Sequence, residues 1–282
     1  MAEKRGEVRP EDGAAERAWA PTDAPAQAGA EKRKGVRHVG ARHWLLLAAG
    51  SAAALGVLFI TPVSYLVKLI VAFIHEAGHS VTGWLFGYPS VPTIDFFYGG
   101  GVTIQWGRQW WLQALVLLLL GYLIYRYRHN LPALLGLGAL GVLYGLLALT
   151  SAHQVAILSS GHLAELVFAG YLLYRVFKGN GIPGTLERAF LAAFILLEDL
   201  RFSYMLITSP AVRQNYEISG VLGFKMDFSC LAADYLSISV EWIAFIFMLC
   251  CLITPVLTFL LFRYRDEAVR PALDRLAHWR PC

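Results

Sequence analysis

The chain has 282 residues, of which 57% are hydrophobic and only 16% charged. A soluble domain of this size carries about 25% charged residues, and the net charge of +4 is too modest and too concentrated in basic flanks to describe a nucleic-acid surface. Four cysteines, at 230, 250, 251 and 282, make no C-x-x-C pair, which argues against a disulfide scaffold or a cysteine-based zinc site.

Residues 1–40 are rich in Ala, Glu, Pro, Gly, Lys and Arg. They carry no apolar period, so they read as a disordered tail, and the first apolar run begins too late for a signal peptide. Lys32, Arg33, Lys34, Arg37 and Arg42 adjoin that first run, which places the N-terminus in the cytoplasm by the positive-inside rule. Residues 41–265 then read as one multi-span membrane domain. Its apolar runs approach or exceed the ~20 residues that cross a bilayer.

The first expected span runs from about Trp44 to Ile60 and ends at Thr61-Pro62. The second, about Val63 to Gly87, contains F-I-H-E-A-G-H-S-V-T-G-W-L-F-G. On a helix, His75 and His79 are four residues apart and leave the same face. Two imidazoles so spaced suit one Zn²⁺, with Glu76 beside them to take a proton from a bound water. Three ionisable side chains in five residues are costly at membrane depth and mark a functional site there. With the N-terminus inside, His79 would lie ~12 Å from the cytoplasmic end of its helix.

Residues 88–106 hold prolines at 89 and 92 and glycines at 99 to 101, flanked by the β-prone runs T-I-D-F-F-Y and V-T-I-Q-W. They suit a hairpin, either re-entrant beside the metal motif, where it would offer an edge strand to an extended peptide, or lying at the interface as a loop. Further spans are expected at about Trp110–Tyr125, Leu134–Leu149, Val155–Phe177, Leu186–Leu206 and Val240–Phe262, the last kinked at Pro255. Residues 207–238 are less hydrophobic, and residues 266–282 form a basic, cytoplasmic-looking tail. Seven crossings cannot leave both ends in the cytoplasm. Either one run is re-entrant, or residues 207–238 conceal a further crossing, or one tail is outside. The expected fold is therefore an all-α polytopic membrane protein of about six to eight spans.

A catalytic zinc needs a third protein ligand and an open position. Asp227 lies at a polar break, G-F-K-M-D-F, where it suits either a ligand or a helix N-cap. His162 and Glu165 sit at i, i+3 on the fifth span as ligands, as a pair tying spans together, or as partners behind the ligands. Asp199 is expected to pair with Arg201, and Asp234 to make a helix-face contact.

H-E-A-G-H in a membrane helix, followed by F-Y-G-G-G-V-T, resembles the site-2 protease family of intramembrane zinc metalloproteases, most of all its short branch without a PDZ domain. The similarity covers residues 63 to 125. It implies that His75 and His79 bind Zn²⁺, that Glu76 is the general base, and that an Asp on a later segment is the third ligand. The family's usual Asp-Gly is missing after the motif; M-D-F-S-C-L-A-A-D-Y-L is similar to the Asp segment of distant members and points to Asp227. The implied partners are the lipid bilayer and a membrane-protein substrate, with no nucleic acid; the short, loop-poor design makes a bacterial inner membrane the default location, with an organelle membrane as the alternative. The rival functions are a zinc hydrolase acting on a lipid amide or ester, a metal transporter, and a non-catalytic scaffold for membrane helices.

Overall fold

The structure is a computed structural model that describes residues 39–96, 100–179, 184–218 and 225–265. The expected disordered tail at 1–40, apart from Val39 and Gly40, and the tail at 266–282 lie outside the described residues, as does Gly99 of the glycine triplet.

Most described residues are helical. The order is α1 (Ala41–Leu58), α2 (Thr61–Leu85), strands β1 (Ser90–Asp95) and β2 (Gly100–Gln105), α3 (Trp110–Arg126), α4 (Leu131–Leu149), α5 (Ala152–Lys178), α6 (Thr185–Thr208), α7 (Pro210–Ile218), α8 (Asp227–Cys230), a π-helical turn (Leu231–Leu236) and α9 (Val240–Tyr264). Thr61-Pro62 separates α1 from α2 as expected, because a proline in the first helical turn loses no intrahelical bond. Pro255 lies inside α9.

Among the described residues, four helices are long and apolar enough to cross a membrane: α1, α4, α5 and α9. Each of the other three long helices fails for a visible reason. Lys68, His75, Glu76 and His79 lower the hydropathy of α2, and Glu187, Arg188, Glu198, Asp199 and Arg201 do the same in α6. The apolar α3 is 17 residues long. The outer faces agree with a membrane setting. Leu117, Leu118 and Leu119 on α3 and Val142, Leu143 and Leu146 on α4 are all more than half exposed, a continuous apolar surface that suits hydrocarbon and not water.

The buried core lies between α1, α5, α6 and α9, with Ala169, Val176, Ala192, Phe194, Ile195 and Ala244 almost fully enclosed. Lipid supplies no hydrophobic drive for helices to associate, so close contact through small residues matters more. Gly50 of α1 meets Ala189 of α6, and Gly78 of α2 lies against the Ser160 carbonyl of α5, each too tightly for a Cβ.

The segment after α2 is a hairpin. Strands β1 and β2 pair antiparallel, with Ser90 opposite Gln105 and Asp95 opposite Gly100. Gly87, at φ 88°, turns the chain out of α2. The hairpin then runs back along α2. Ser90 Oγ donates to the Ser80 carbonyl, Thr103 bonds to Glu76, and Tyr65 donates to the Phe96 carbonyl. A sheet edge that follows a helix in this way is covered by protein on that side, which non-helical backbone needs at membrane depth.

Candidate metal centre

Helices α2 and α5 run side by side in opposite directions. Ile157, Gly161 and Glu165 recur every four residues on α5 and so form one stripe, which faces His79 and His75 on α2. The two imidazoles are pinned from behind by this stripe. His79 Nδ1 donates to the Ile157 carbonyl at 2.7 Å. His75 Nδ1 lies 3.1 Å from Glu165 Oε1, and Glu165 Oε2 lies 2.9 Å from His162 Nδ1.

A carbonyl oxygen can only accept, so the Nδ1 of His79 carries a hydrogen, and the carboxylate behind His75 selects the same tautomer. In the neutral rings both Nε2 atoms then hold lone pairs. They point at one spot. His75 Nε2 and His79 Nε2 are 2.9 Å apart, and Asp227 Oδ2 stands 3.0 Å from the first and 2.9 Å from the second. Three electron pairs that converge like this repel one another unless a cation sits among them. Ligands at the 2.0–2.2 Å of a tetrahedral zinc site lie about 3.3 Å apart, close to the observed triangle. The donor set of two imidazoles and one carboxylate could hold a divalent metal ion. His75, His79 and Asp227 are close enough together to share a metal ion, and so, on the Nδ1 side of His75, are His75, His162 and Glu165.

Asp227 reaches this spot because its neighbour is anchored. Phe228 is 3% exposed and packs on the ring of His162, with centroids 4.5 Å apart, and on Phe202 and Phe247. Its backbone N–H faces the Tyr216 hydroxyl at 3.3 Å. Asp227 is the first residue of α8, Met226 is the N-cap, and no side-chain cap bond is made. The carboxylate is therefore committed to the histidines and not to capping.

Glu76 is 7% exposed, and the hairpin grips its side chain. Thr103 Oγ1 donates to Glu76 Oε2 at 2.7 Å. Gly101 leaves the space its side chain fills, since a Cβ there would stand 2.9 Å from Oε1 and closer still to Cγ. Gly161 does the same for the two imidazoles. A Cβ on Gly161 would stand 2.5 Å from both Nε2 atoms.

The other expected candidates fall away from the converging point. Glu165 and His162 sit behind His75, on its Nδ1 side. Asp234 pairs with Lys225 at 2.8 Å. The expected ion pair between Asp199 and Arg201 does not form. Residues two apart on a helix do not face each other, and Arg201 instead bonds Glu198, three residues back, at 2.7 Å. Glu198 also holds Lys68 of α2 at 2.8 Å. Asp199 turns inward and is 4% exposed.

No family model matches the chain, and no curated protein or solved structure matches it.

Proposed function

We propose that the protein is an intramembrane zinc metallopeptidase that cleaves a peptide bond within or near a membrane-spanning segment of a protein substrate. The observation that carries this reading is the triangle of His75 Nε2, His79 Nε2 and Asp227 Oδ2, with both Nδ1 atoms tied back, next to a carboxylate at Glu76 that takes no part in holding the metal. Bound zinc would be held by His75, His79 and Asp227, and would supply a Lewis acid and a water acidified toward a pKa of ~7.

The chain's own groups would do the rest. Glu76 takes a proton on its carboxylate and returns it to the leaving amine. Thr103 keeps that carboxylate in one place by holding Oε2, which matters because misplacement by about 1 Å can cost 10²-fold. Glu165 and the Ile157 carbonyl hold the two imidazoles in the tautomer that binds metal. A peptide bond in an intact helix hides its carbonyl, so the substrate must be extended where it is cut. The hairpin beside Glu76 offers a strand edge to receive it.

In this reading α2, α3 and α6 cross the bilayer together with the four more apolar helices, which makes seven crossings, and the hairpin is re-entrant. A bacterial inner membrane with a cytoplasmic N-terminus is the proposed setting.

Zinc content of the detergent-purified protein tests the centre, alongside cleavage of a reconstituted membrane-helix substrate. We expect about one zinc per chain, lost in His75→Ala and in Asp227→Ala. Glu76→Gln should keep the zinc and lower cleavage by about 10²- to 10⁴-fold. Zinc-free wild-type protein prepared without chelators would overturn the metal centre. Unchanged cleavage by Glu76→Gln would overturn the peptidase mechanism. Zinc transport that survives Glu76→Gln would support a transporter in its place.

A further inference from the structure

Asp227 is delivered to the histidines by a single helical turn, α8, that cannot hold its own place. Its four residues are too few for a helix that stands alone, and the first N–H groups of any helix lack partners within it. The residue before a helix commonly meets that need with a side-chain oxygen. Here Met226 has no such oxygen, and the Asp227 carboxylate is turned toward His75 and His79. The Phe228 N–H finds its acceptor elsewhere, in the Tyr216 hydroxyl of α7 at 3.3 Å.

Helix α7 is itself fixed so that it can make this contact. Val212 and Tyr216, four residues apart, pack against the core from one face. The Tyr216 ring lies 5.5 Å from the Phe202 ring of α6 and 6.4 Å from the Phe228 ring. Arg213 joins α7 to two further helices. Its guanidinium donates to the Leu206 and Ile207 carbonyls in the last turn of α6, at 2.7 and 3.2 Å, groups that a helix end leaves without internal partners. It also pairs with Glu241, in the first turn of α9, at 2.9 Å. Asp227 lies between Arg213 and Glu241 in the chain, so this pair holds together the two ends of the segment that carries the ligand.

Packing does not require a tyrosine at 216, because a ring without the hydroxyl would fill the same space beside Phe202 and Phe228. The hydroxyl adds an acceptor for the N–H of a buried residue, one peptide unit from the ligand. Without it, that N–H turns toward another acceptor or stays unpaired, which is costly in an interior. A turned peptide carries the Asp227 side chain with it, and ligand distances tolerate only about ±0.2 Å.

We propose that Tyr216 is a positioning residue for the metal centre, its hydroxyl capping α8 from outside and so fixing the Asp227 carboxylate against His75 and His79. This rests on the metal-centre reading above. It brings α7 into the centre although α7 supplies no ligand, and it gives Arg213 and Glu241 the task of keeping α7 within reach.

The test reads metal affinity and ligand geometry on full-length protein in detergent. Chelator competition gives the zinc affinity, and the visible absorption of Co²⁺ loaded in place of zinc reports the ligand geometry. Tyr216→Phe should bind zinc about 10- to 100-fold more weakly and alter the Co²⁺ spectrum. Arg213→Lys keeps the charge but loses the fork that serves two helix ends, and should weaken zinc binding by about threefold or more. Tyr204 is exposed on α6, so Tyr204→Phe should match wild type in both readouts.

A purely structural role for Tyr216 predicts a lower Tm for metal-free Tyr216→Phe, with zinc affinity within about threefold of wild type and the Co²⁺ spectrum unchanged. That result overturns the proposal and leaves the centre in place. Arg213→Lys protein with unchanged affinity and spectrum overturns it equally, which decides the matter if Tyr216→Phe does not fold. Wild-type protein that binds neither metal overturns the centre and this role with it.

Discussion

A methyl group added at Gly161 has no room. Its carbon would stand 2.5 Å from His75 Nε2 and 2.5 Å from His79 Nε2, where ordinary contact begins at 3.4 Å, so each nitrogen would have to retreat by about 0.9 Å. Neither ring can retreat freely, because Glu165 and the Ile157 carbonyl lie directly behind them. The helices cannot part easily either, since Gly78 is pressed against the Ser160 carbonyl one residue before Gly161. Ligand distances tolerate only about ±0.2 Å. Gly161→Ala is therefore expected to weaken zinc binding by at least about 100-fold, or roughly 2.8 kcal/mol. Chelator competition reads this directly, and thermal unfolding without metal controls for the fold. A Gly161→Ala protein that binds zinc within about threefold of wild type would refute the close approach of α5 to the ligands, and with it the geometry of the centre.

Gly101→Ala should push the Glu76 carboxylate aside and lower cleavage by about 10- to 100-fold with zinc content unchanged, which separates the hairpin's task from that of the ligands. Ser237 follows the π-helical turn at φ 52°, a left-handed conformation that costs a non-glycine residue about 1–2 kcal/mol. Ser237→Gly should raise thermal stability by up to about 1 kcal/mol, and an unchanged or lowered Tm would count against strain at that position. Arg201 is half exposed, so Arg201→Ala should cost less than about 1 kcal/mol, because Lys68 still holds Glu198; unfolding measurements check this.

Much of the site is legible in the sequence because its parts are local. His75, Glu76 and His79 fall on one helix at a fixed spacing, and the prolines and glycines after them announce a turn between β-prone runs. The helical bounds agree with the apolar runs to within a few residues for the same reason. Asp227 is visible as a polar break, although its choice over Glu165 depends on which face of α5 meets α2. That is a tertiary fact. Gly161 carries no local signal, and Gly101 signals only the turn, since what a glycine makes room for is revealed only by what is pressed against it. The partner of Arg201 is different, because part of it was available. The i, i+3 spacing of Glu198 and Arg201 already favours that pair and leaves Asp199, on another face of the helix, without a cation.

The three atoms that converge on one point come from distant parts of the chain. Asp227 follows His79 by 148 residues and His75 by 152. At the roughly 5–20 residues per second of synthesis, a nascent chain carries the two histidines for several seconds to half a minute before the aspartate exists. During that interval it holds a pair of imidazoles and no complete site. The order of residues along the chain thus acts as a delay, and the centre closes only when nearly all of the helices that enclose it have been made.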